Sequence, residues 1–326
     1  MMVSYAAKRI LRSWKLFLAL LLGVILASAF FSGISIGSDS MARQALNQLL
    51  ANAPVDLELH YYGMGSTQLS EDLTECASLA SSVVGVSGAE VNSMIYSTGE
   101  VAGTNGSFSF LCSGIPEGSR VIDGMTGWTG SLGINETLVS ADSALFSILH
   151  VGDVIVLNIT QEGYYDGEYI ELGFSVRLSV RGFVTLTDEA YQIATLSSGG
   201  GIVYPSFRGT PQIPGVTGSS QRENLCLVGW DTISGLMDAS AASPIGGPFQ
   251  AAVSVFLDRS ALLDSWDFAK SAESVSRVSS QVSNKVVPLG FSVYDRLSSI
   301  LSSYQYTANN LKFSTIVTAL PIFFVA

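Results

Sequence analysis

Charged side chains are scarce in this sequence. Only 13% of its 326 residues are Asp, Glu, Lys or Arg, and the mean hydropathy of +0.39 is high for a soluble protein. The net charge at pH 7 is −11, although four of the sixteen basic residues stand within the first fifteen positions. The remaining chain is therefore clearly acidic, which argues against a nucleic-acid partner.

Histidine and cysteine are also rare. The two histidines, His60 and His150, are isolated, and such residues are usually structural rather than ligands or bases. The three cysteines, Cys76, Cys112 and Cys226, form no C-x-x-C pair and no Cys/His cluster, so we expect no zinc site. Outside the cell they allow at most one disulfide and one spare thiol, and three buried thiols are an equal alternative.

The common catalytic motifs are missing. The sequence contains no G-x-x-x-x-G-K-[ST], no G-x-S-x-G and no H-E-x-x-H. The acidic group Asp166, Glu168 and Glu171 is better explained as a solvated face than as general acid–base machinery. The run 199–201 is Gly-Gly-Gly, but no basic helix start follows it, which indicates a loop and not an anion site. We expect no enzyme, no metal and no cofactor.

One long apolar run dominates the sequence. Leu16 to Ile36 reads LFLALLLGVILASAFFSGISI, and the first charge after it is Asp39. An α-helix needs about 20 apolar residues to cross a bilayer core. Basic residues are retained on the cytoplasmic side. We therefore predict a cytoplasmic basic leader over 1–15, a transmembrane helix over 16–37 and an extracytoplasmic chain beyond it; the leader's basic residues are Lys8, Arg9, Arg12 and Lys15.

A cleaved signal peptide is the alternative. Ala27-Ser28-Ala29 fits the A-x-A pattern of a cleavage site. Cleavage there would leave a mature chain that begins with Phe30 and exposes Ile34 and Ile36 to water. The apolar run is also longer than a signal peptide requires, so an uncleaved anchor is favoured.

Two segments that flank the main domain show helical seams. Apolar residues recur at spacings of four and three in 38–53 and in 295–312, the pattern of helices that pack on other helices. We interpret these segments as stalk helices and residues 313–326, which carry no charge, as the truncated start of a second transmembrane helix. Ordinary packing is an equal explanation of the seams. The candidate coupling residues are Ala42, Leu46, Leu49, Leu297, Leu301, Tyr304, Ala308 and Leu311.

The region between the stalks predicts two β-α-β units with a β-rich insertion between them. Alternation predicts strands, and apolar residues at helical spacing predict helices. The fold class is therefore a membrane-anchored α+β protein. The first unit is strand 55–61, helix 70–83 and strand 86–96; the second is strand 251–257, helix 262–285 and strand 291–294.

The insertion is expected to contain mainly strands. Asp166-Gly167 is a hairpin signal, because both positions of a type I′ turn need a positive φ. The segment 197–220, rich in Gly, Pro and Ser, is expected to be a loop. The other elements are strands at 108–114, 154–159, 169–186 and 225–230, a helix at 136–150 and a short helix at 231–239 that Asp231 caps.

Several short motifs resemble one family. A helix followed by Leu149–Leu157 (LHVGDVIVL) and then Phe174–Phe183 (FSVRLSVRGF) is similar to a run in MacB-type periplasmic core domains. Asn224–Met237 and Val253–Asp258 resemble later parts of that domain. The basic leader, first membrane helix and returning helix resemble FtsX-like ABC transporter permeases. The segment 197–220 departs from a compact core domain of this type.

The resemblance implies a function for the N-terminal part of a permease subunit. A separate cytoplasmic ATP-binding subunit would hydrolyse ATP, and the stalk helices would couple that to movements of the extracytoplasmic domain, 38–312, for export or for lipoprotein or peptide handling. The permease would act as a homodimer or a paired permease, and the family contributes no catalytic residue. The alternatives are a singly anchored extracellular binding or receptor domain, and an exported enzyme released after Ala29.

Three Asn-x-Ser/Thr triplets are candidate glycosylation sites if the host glycosylates exported proteins. Such triplets often arise by chance. They begin at Asn105, Asn135 and Asn158.

Overall fold

The computed structural model describes residues 14–51, 53–61, 68–103, 106–195, 224–243, 249–264, 268–306 and 309–310. The chain divides into two compact units. The first consists of Met1–Ala51, Ser265–Phe268 and Ser299–Ala326, and the second of Asn52–Asp264 and Ala269–Ser298.

The first unit contains one long helix, α1 (Trp14–Ala51), of 38 residues. The helix predicted over 16–37 and the stalk predicted over 38–53 are therefore one continuous helix up to Ala51. No helix in the described part of the chain is long and apolar enough to cross a membrane. The membrane anchor stays a prediction, and the segment 313–326 lies outside the described residues, as does the loop 197–220.

The second unit alternates strands and helices. Its strands are β1 (Leu57–Tyr61), β2 (Val86–Val101), β3 (Ser107–Ile115), β4 (Met125–Thr126), β5 (Glu136–Ser140), β6 (Val154–Tyr165), β7 (Glu168–Leu186), β8 (Leu225–Gly229), β9 (Phe249–Leu257) and β10 (Phe291–Asp295). Its helices are α2 (Leu69–Ser81), α3 (Arg120–Asp123), α4 (Asp188–Ala194), α5 (Trp230–Ala241), α6 (Arg259–Leu262) and α7 (Phe268–Val286), with 3-10 turns at Ala144–Ser147 and Val287–Leu289. A further helix, α8, covers 296–306.

The two predicted β-α-β units are present and interleaved. β1 pairs antiparallel with both β9 and β10, and β9 also pairs antiparallel with β2. The order β10-β1-β9-β2 therefore puts one strand of each unit between the two strands of the other. This is the split β-α-β arrangement of ferredoxin-like folds. Periodicity identified the strands, but it carries no information on which strands are neighbours.

The insertion between β2 and β9 closes six strands into a ring. The pairings run β2-β3-β8-β5-β7-β6 and return to β2 through Thr98–Val101 and Ile155–Asn158. Alternate residues of all six strands meet in one buried cluster that includes Phe110, Val139 and Val180. The other face of most of these strands packs on α4 through Ala190 and Ile193. β2 belongs to both sheet systems and joins them.

The Asp166-Gly167 hairpin is confirmed. Asp166 has φ 51° and Gly167 has φ 84°, and Tyr165 pairs with Glu168 across the turn. These are the conformations that the type I′ turn requires. The hairpin joins β6 to β7, both longer than the strands that alternation predicted.

The helix predicted over 136–150 is wrong. Residues 136–140 form β5, which lies between β7 and β8, and Ser143 caps a short 3-10 turn. Leu138, Leu145 and Leu149 have helical spacing, but Leu138 belongs to one buried cluster and the other two to another. The predicted cap Asp231 is also wrong, because Gly229 is the N-cap of α5 and makes no side-chain bond there.

Gly114 on β3 provides a test of how α5 packs on the ring. A Cβ at Gly114 would lie 2.2 Å from Cγ2 of Ile233 on α5. We expect Gly114→Ala to reduce the free energy of unfolding by about 1–3 kcal/mol, because overpacking moves the helix. Gly88→Ala is the control, since no atom lies within 4 Å of its Cβ position. Equal unfolding midpoints for the two variants would contradict this packing.

Candidate functional site

The chain enters and leaves the second unit on paired strands. Leu57, at the start of β1, is the register partner of Asp295, at the end of β10. α1 ends six residues before β1, and α8 begins immediately after β10. The chain therefore connects both α1 and α8 to the same end of the β1–β10 strand pair.

Asp56 links this end to the next strand. Its side chain is buried, and its carboxylate accepts hydrogen bonds from the Leu257 N–H at 2.7 Å and from Arg259 Nε at 2.8 Å. Its backbone carbonyl accepts from the N–H groups of Arg296 and Leu297, at 3.0 and 3.1 Å. These donors belong to the first turn of α8, where helical partners are absent. One residue therefore holds β9, α6 and the start of α8.

Arg259 extends the contact to the residues that follow α1. Its Nη2 donates to the carbonyl oxygen of Ala53, and its Nε pairs with Asp56. Asp295 binds the first turn of α8. Its carboxylate accepts hydrogen bonds from the N–H of Ser298 at 2.8 Å and from the Ser298 hydroxyl at 2.7 Å. This is an N-cap interaction for α8.

Glu58 forms a second buried pair beside the first. Its Oε1 lies 3.0 Å from Arg296 Nη2, and its Oε2 lies 3.3 Å from His60 Nε2. Glu58 and Arg296 are 5% and 7% exposed. We define the junction cluster as Asp56, Glu58, His60, Arg259 and Arg296. Buried pairs of this kind hold a specific geometry, because separation leaves an uncompensated charge.

Burial raises the pKa of the Asp56 carboxyl above its ordinary value, and Arg259 and the Leu257 N–H partly offset this. The carboxylate therefore depends on its partners for ionisation. The cluster has no arrangement of nucleophile and base. Across the described residues, no group of three His, Cys, Asp or Glu side chains could hold a metal ion. The arrangement can fix and transmit a position.

Sequence analysis did not identify the junction cluster. A signal was available, because charged residues are few and yet Asp56, Glu58 and His60 alternate with Val55, Leu57 and Leu59 in a short strand. Alternation over 55–61 predicts only a strand and does not show whether its second face is covered. Both faces of β1 are in fact covered, so the charges are buried and must be paired.

The candidate coupling residues differ in exposure. Leu46, Leu297, Leu301 and Tyr304 are 6%, 1%, 2% and 2% exposed, whereas Leu49 is 39% exposed. The side chains of Ala42, Ala308 and Leu311 lie outside the described part of the chain. Their coupling role stays a prediction, and Leu49 does not share the burial of the others.

Two of the three candidate glycosylation sites lie on the surface of the described chain. Asn135 is exposed in a turn with φ 60°, and Asn158 is exposed on β6. Asn105 lies outside the described residues. Their glycosylation stays a prediction.

An open cleft lies between α2 and α5, with a volume of about 610 Å³. Its lining includes the carboxylates Glu71, Glu75 and Asp231 and the indole of Trp230. Ser70, at one end of the cleft, donates through its N–H to Asp238 at 2.9 Å. The cleft is open and carries three carboxylates, whereas typical small-molecule sites are more enclosed and contain few charged groups.

No protein-family model and no curated protein matches this sequence. The solved structures that are similar to it include the following three. The periplasmic region of MacB from Actinobacillus actinomycetemcomitans has 11% identity and a TM-score of 0.39, with 80% of this chain and 96% of that chain covered. The extracellular domain of the noncanonical ABC-type transporter YknZ from Gram-positive bacteria has 12% identity and a TM-score of 0.36, with 73% and 98% covered.

The third is a domain described as part of a permease protein from Porphyromonas gingivalis, with 12% identity, a TM-score of 0.33 and coverages of 74% and 86%. At these identities and TM-scores, the likeness does not by itself assign a function to this chain. Functional inference therefore depends on the residues.

The pair Asp56–Arg259 predicts a pH-dependent loss of stability. We expect Arg259→Leu to reduce the free energy of unfolding by about 3 kcal/mol at pH 7, because Asp56 loses its buried partner. A carboxyl with a raised pKa costs stability as pH rises through that pKa, so the loss should shrink toward pH 4. The loss of stability is measured by thermal unfolding of the full chain in detergent, with and without the substitution, at pH 7 and at pH 4.

The control for this measurement is Arg277→Leu. Arg277 pairs with Glu273 on the exposed surface of α7, where ion pairs contribute little. Its midpoint should match that of the unmodified protein at both pH values. A loss in Arg259→Leu that is equal at pH 4 and pH 7 would show that Asp56 is not the group left uncompensated.

Proposed function

We propose that this chain is the N-terminal part of the permease subunit of an ABC transporter complex. Its second unit lies outside the cytoplasm, and a separate cytoplasmic subunit hydrolyses ATP. The stalk helices couple that hydrolysis to movements of the extracytoplasmic domain for export or for lipoprotein or peptide handling. The subunit functions as a homodimer or a paired permease. It carries no catalytic residue of its own.

The observation that carries this proposal is the junction cluster. A protein that only anchors a binding domain needs a flexible tether, whereas a coupling protein needs its helices fixed to the domain. Here the carbonyl oxygen of Asp56 holds the start of α8, and its carboxylate holds Leu257, the last residue of β9. A displacement of α8 therefore reaches β1 and β9 through hydrogen bonds about 3 Å long.

The apolar surface of α1 supports the membrane anchor. Leu20, Leu26 and Ile36 are 69%, 67% and 70% exposed. Large exposed apolar patches mark surfaces that are covered by a partner or a membrane. The basic leader before this segment favours a cytoplasmic N-terminus.

A second candidate is a singly anchored extracellular binding domain. The cleft between α2 and α5 favours it, because Trp230 and three carboxylates line an open concave surface. In that case the protein needs no ATP-hydrolysing partner. The two candidates share their location and differ in coupling.

Location is tested with epitope tags on the full chain. One tag is inserted at the exposed Asp166-Gly167 turn and another at the N-terminus. We expect the turn tag to bind antibody on intact cells and the N-terminal tag to bind only after permeabilisation. The protein should also stay in the membrane pellet after an alkaline carbonate wash. A turn tag that is accessible only after permeabilisation would contradict the proposed location.

Coupling is tested by ATP hydrolysis in the complex that is purified through a tag on the native full-length protein. We expect the double variant Leu46→Asp with Leu301→Asp to lose the ability to stimulate ATP hydrolysis by the cytoplasmic subunit. The reason is that a charge at each buried position disrupts the packing of the stalk helices. Asn47→Asp is the control, since Asn47 is next to Leu46 on the same helix, is exposed and is not a candidate coupling residue.

Thermal unfolding must show that the second unit stays folded in both variants. Stimulation that is unchanged in the double variant would overturn the coupling role. An exposed turn tag with no ATP hydrolysis in the purified complex would favour the second candidate.

A further inference from the structure

Two of the three cysteines are neighbours on adjacent strands. Cys112 on β3 is the register partner of Cys226 on the parallel strand β8. Both side chains belong to the same buried cluster, so they lie on the same face of the sheet. Both are free thiols, 1% and 0% exposed.

This geometry is close to that of a disulfide. Neighbouring strands lie about 4.8 Å apart, and the Cα atoms of disulfide-bonded cysteines are usually 4.4–6.8 Å apart. The thiol of Cys226 hydrogen-bonds that of Cys112, and this contact, together with burial, raises the pKa of Cys112 well above its ordinary value.

Cys76 has no such neighbour among the cysteines. It lies on α2, outside the buried cluster that holds the other two. Burial and the nearby Glu75 raise the pKa of Cys76 to about 12, which keeps this thiol protonated and unreactive. The odd number of cysteines thus resolves into one pair and one separate thiol.

We propose that Cys112 and Cys226 form a disulfide in the exported protein. This inference rests on the proposed extracytoplasmic location, because disulfides persist in oxidising compartments. It goes beyond the coupling function, which does not require the bond. The disulfide would join β3 to β8 and so cross-link two segments separated by β4 to β7 in the chain.

The oxidant is a disulfide-bearing compound or a disulfide oxidoreductase. The Cys112 thiolate attacks one sulfur of that disulfide, forms a mixed disulfide and releases the first thiol. The Cys226 thiolate then attacks the Cys112 sulfur, forms the protein disulfide and releases the second thiol. The two cysteine protons end on the two released thiols, and the oxidant gains the two electrons that the protein sulfurs lose. Because both cysteines are buried in the folded protein, the exchange takes place before β8 docks.

The pairing is tested on the full chain in detergent. The protein is opened in urea, returned to native conditions with oxidised and reduced glutathione, and then denatured again in the presence of iodoacetamide, so that every free thiol is accessible, before peptide mass mapping. We expect the Cys112 and Cys226 peptides to be linked and Cys76 to be alkylated. Alkylation or glutathione adducts at both Cys112 and Cys226 in refolded protein would overturn the proposal.

Two variants sharpen this measurement. Cys76→Ala should leave the linked peptides unchanged. Cys226→Ala should leave Cys112 alkylated rather than linked to Cys76. A link between Cys112 and Cys76 in either the unmodified chain or the Cys226→Ala variant would contradict the register argument.

Thiol trapping in cells separates this proposal from the proposed location. Cells that carry the tagged chain are lysed in denaturant with iodoacetamide, and the linked peptides are measured beside the accessibility of the Asp166-Gly167 tag. An exposed tag with linked peptides supports both proposals. An exposed tag with both cysteines alkylated overturns the disulfide alone. A tag accessible only after permeabilisation overturns the location, and the refolding experiment then decides whether the pair can form.

Discussion

The arrangement of the second unit depends on the hydrogen bonds that the buried residue Asp56 accepts. Its carboxylate oxygens bind β9 and Arg259, while the carbonyl of the same residue accepts the first N–H groups of α8. A charge in this position costs free energy unless it is paired and hydrogen-bonded. An arrangement that separated Asp56 from these donors, at the point where β1, β9, β10 and α8 meet, would leave a buried charge unpaired.

The rest of the second unit follows from β2. This strand completes the split β-α-β sheet through β9 and contributes to the ring through β3 and β6. Its length allows both, because the pairing with β9 spans Val86–Ile95 and the pairing with β6 uses Thr98–Val101. The two architectural parts consequently share a strand and not merely a surface.

Sequence analysis identified the helices and strands better than it identified which strands and side chains pair with one another. The strands and helices of both β-α-β units were confirmed, because burial of one face imposes a period of two or 3.6. Two bounds differ, since β2 extends to Val101 and not to residue 96, and α7 begins at Phe268 and not at residue 262. β5 was missed since Leu138, Leu145 and Leu149 imitate a helical face although they enter different clusters. The junction cluster was missed because Glu58 pairs with Arg296, more than two hundred residues away, and no local pattern records such a contact.

The interleaving of the two β-α-β units has a consequence for biosynthesis. β1 is among the first strands to leave the ribosome, yet its partners β9 and β10 are among the last. Both edges of β1 thus stay without their native partners while nearly the whole second unit is synthesised. Contacts of such long range slow folding, and unpaired strand edges favour aggregation. The charge of Glu58 on this strand would oppose intermolecular pairing during that interval.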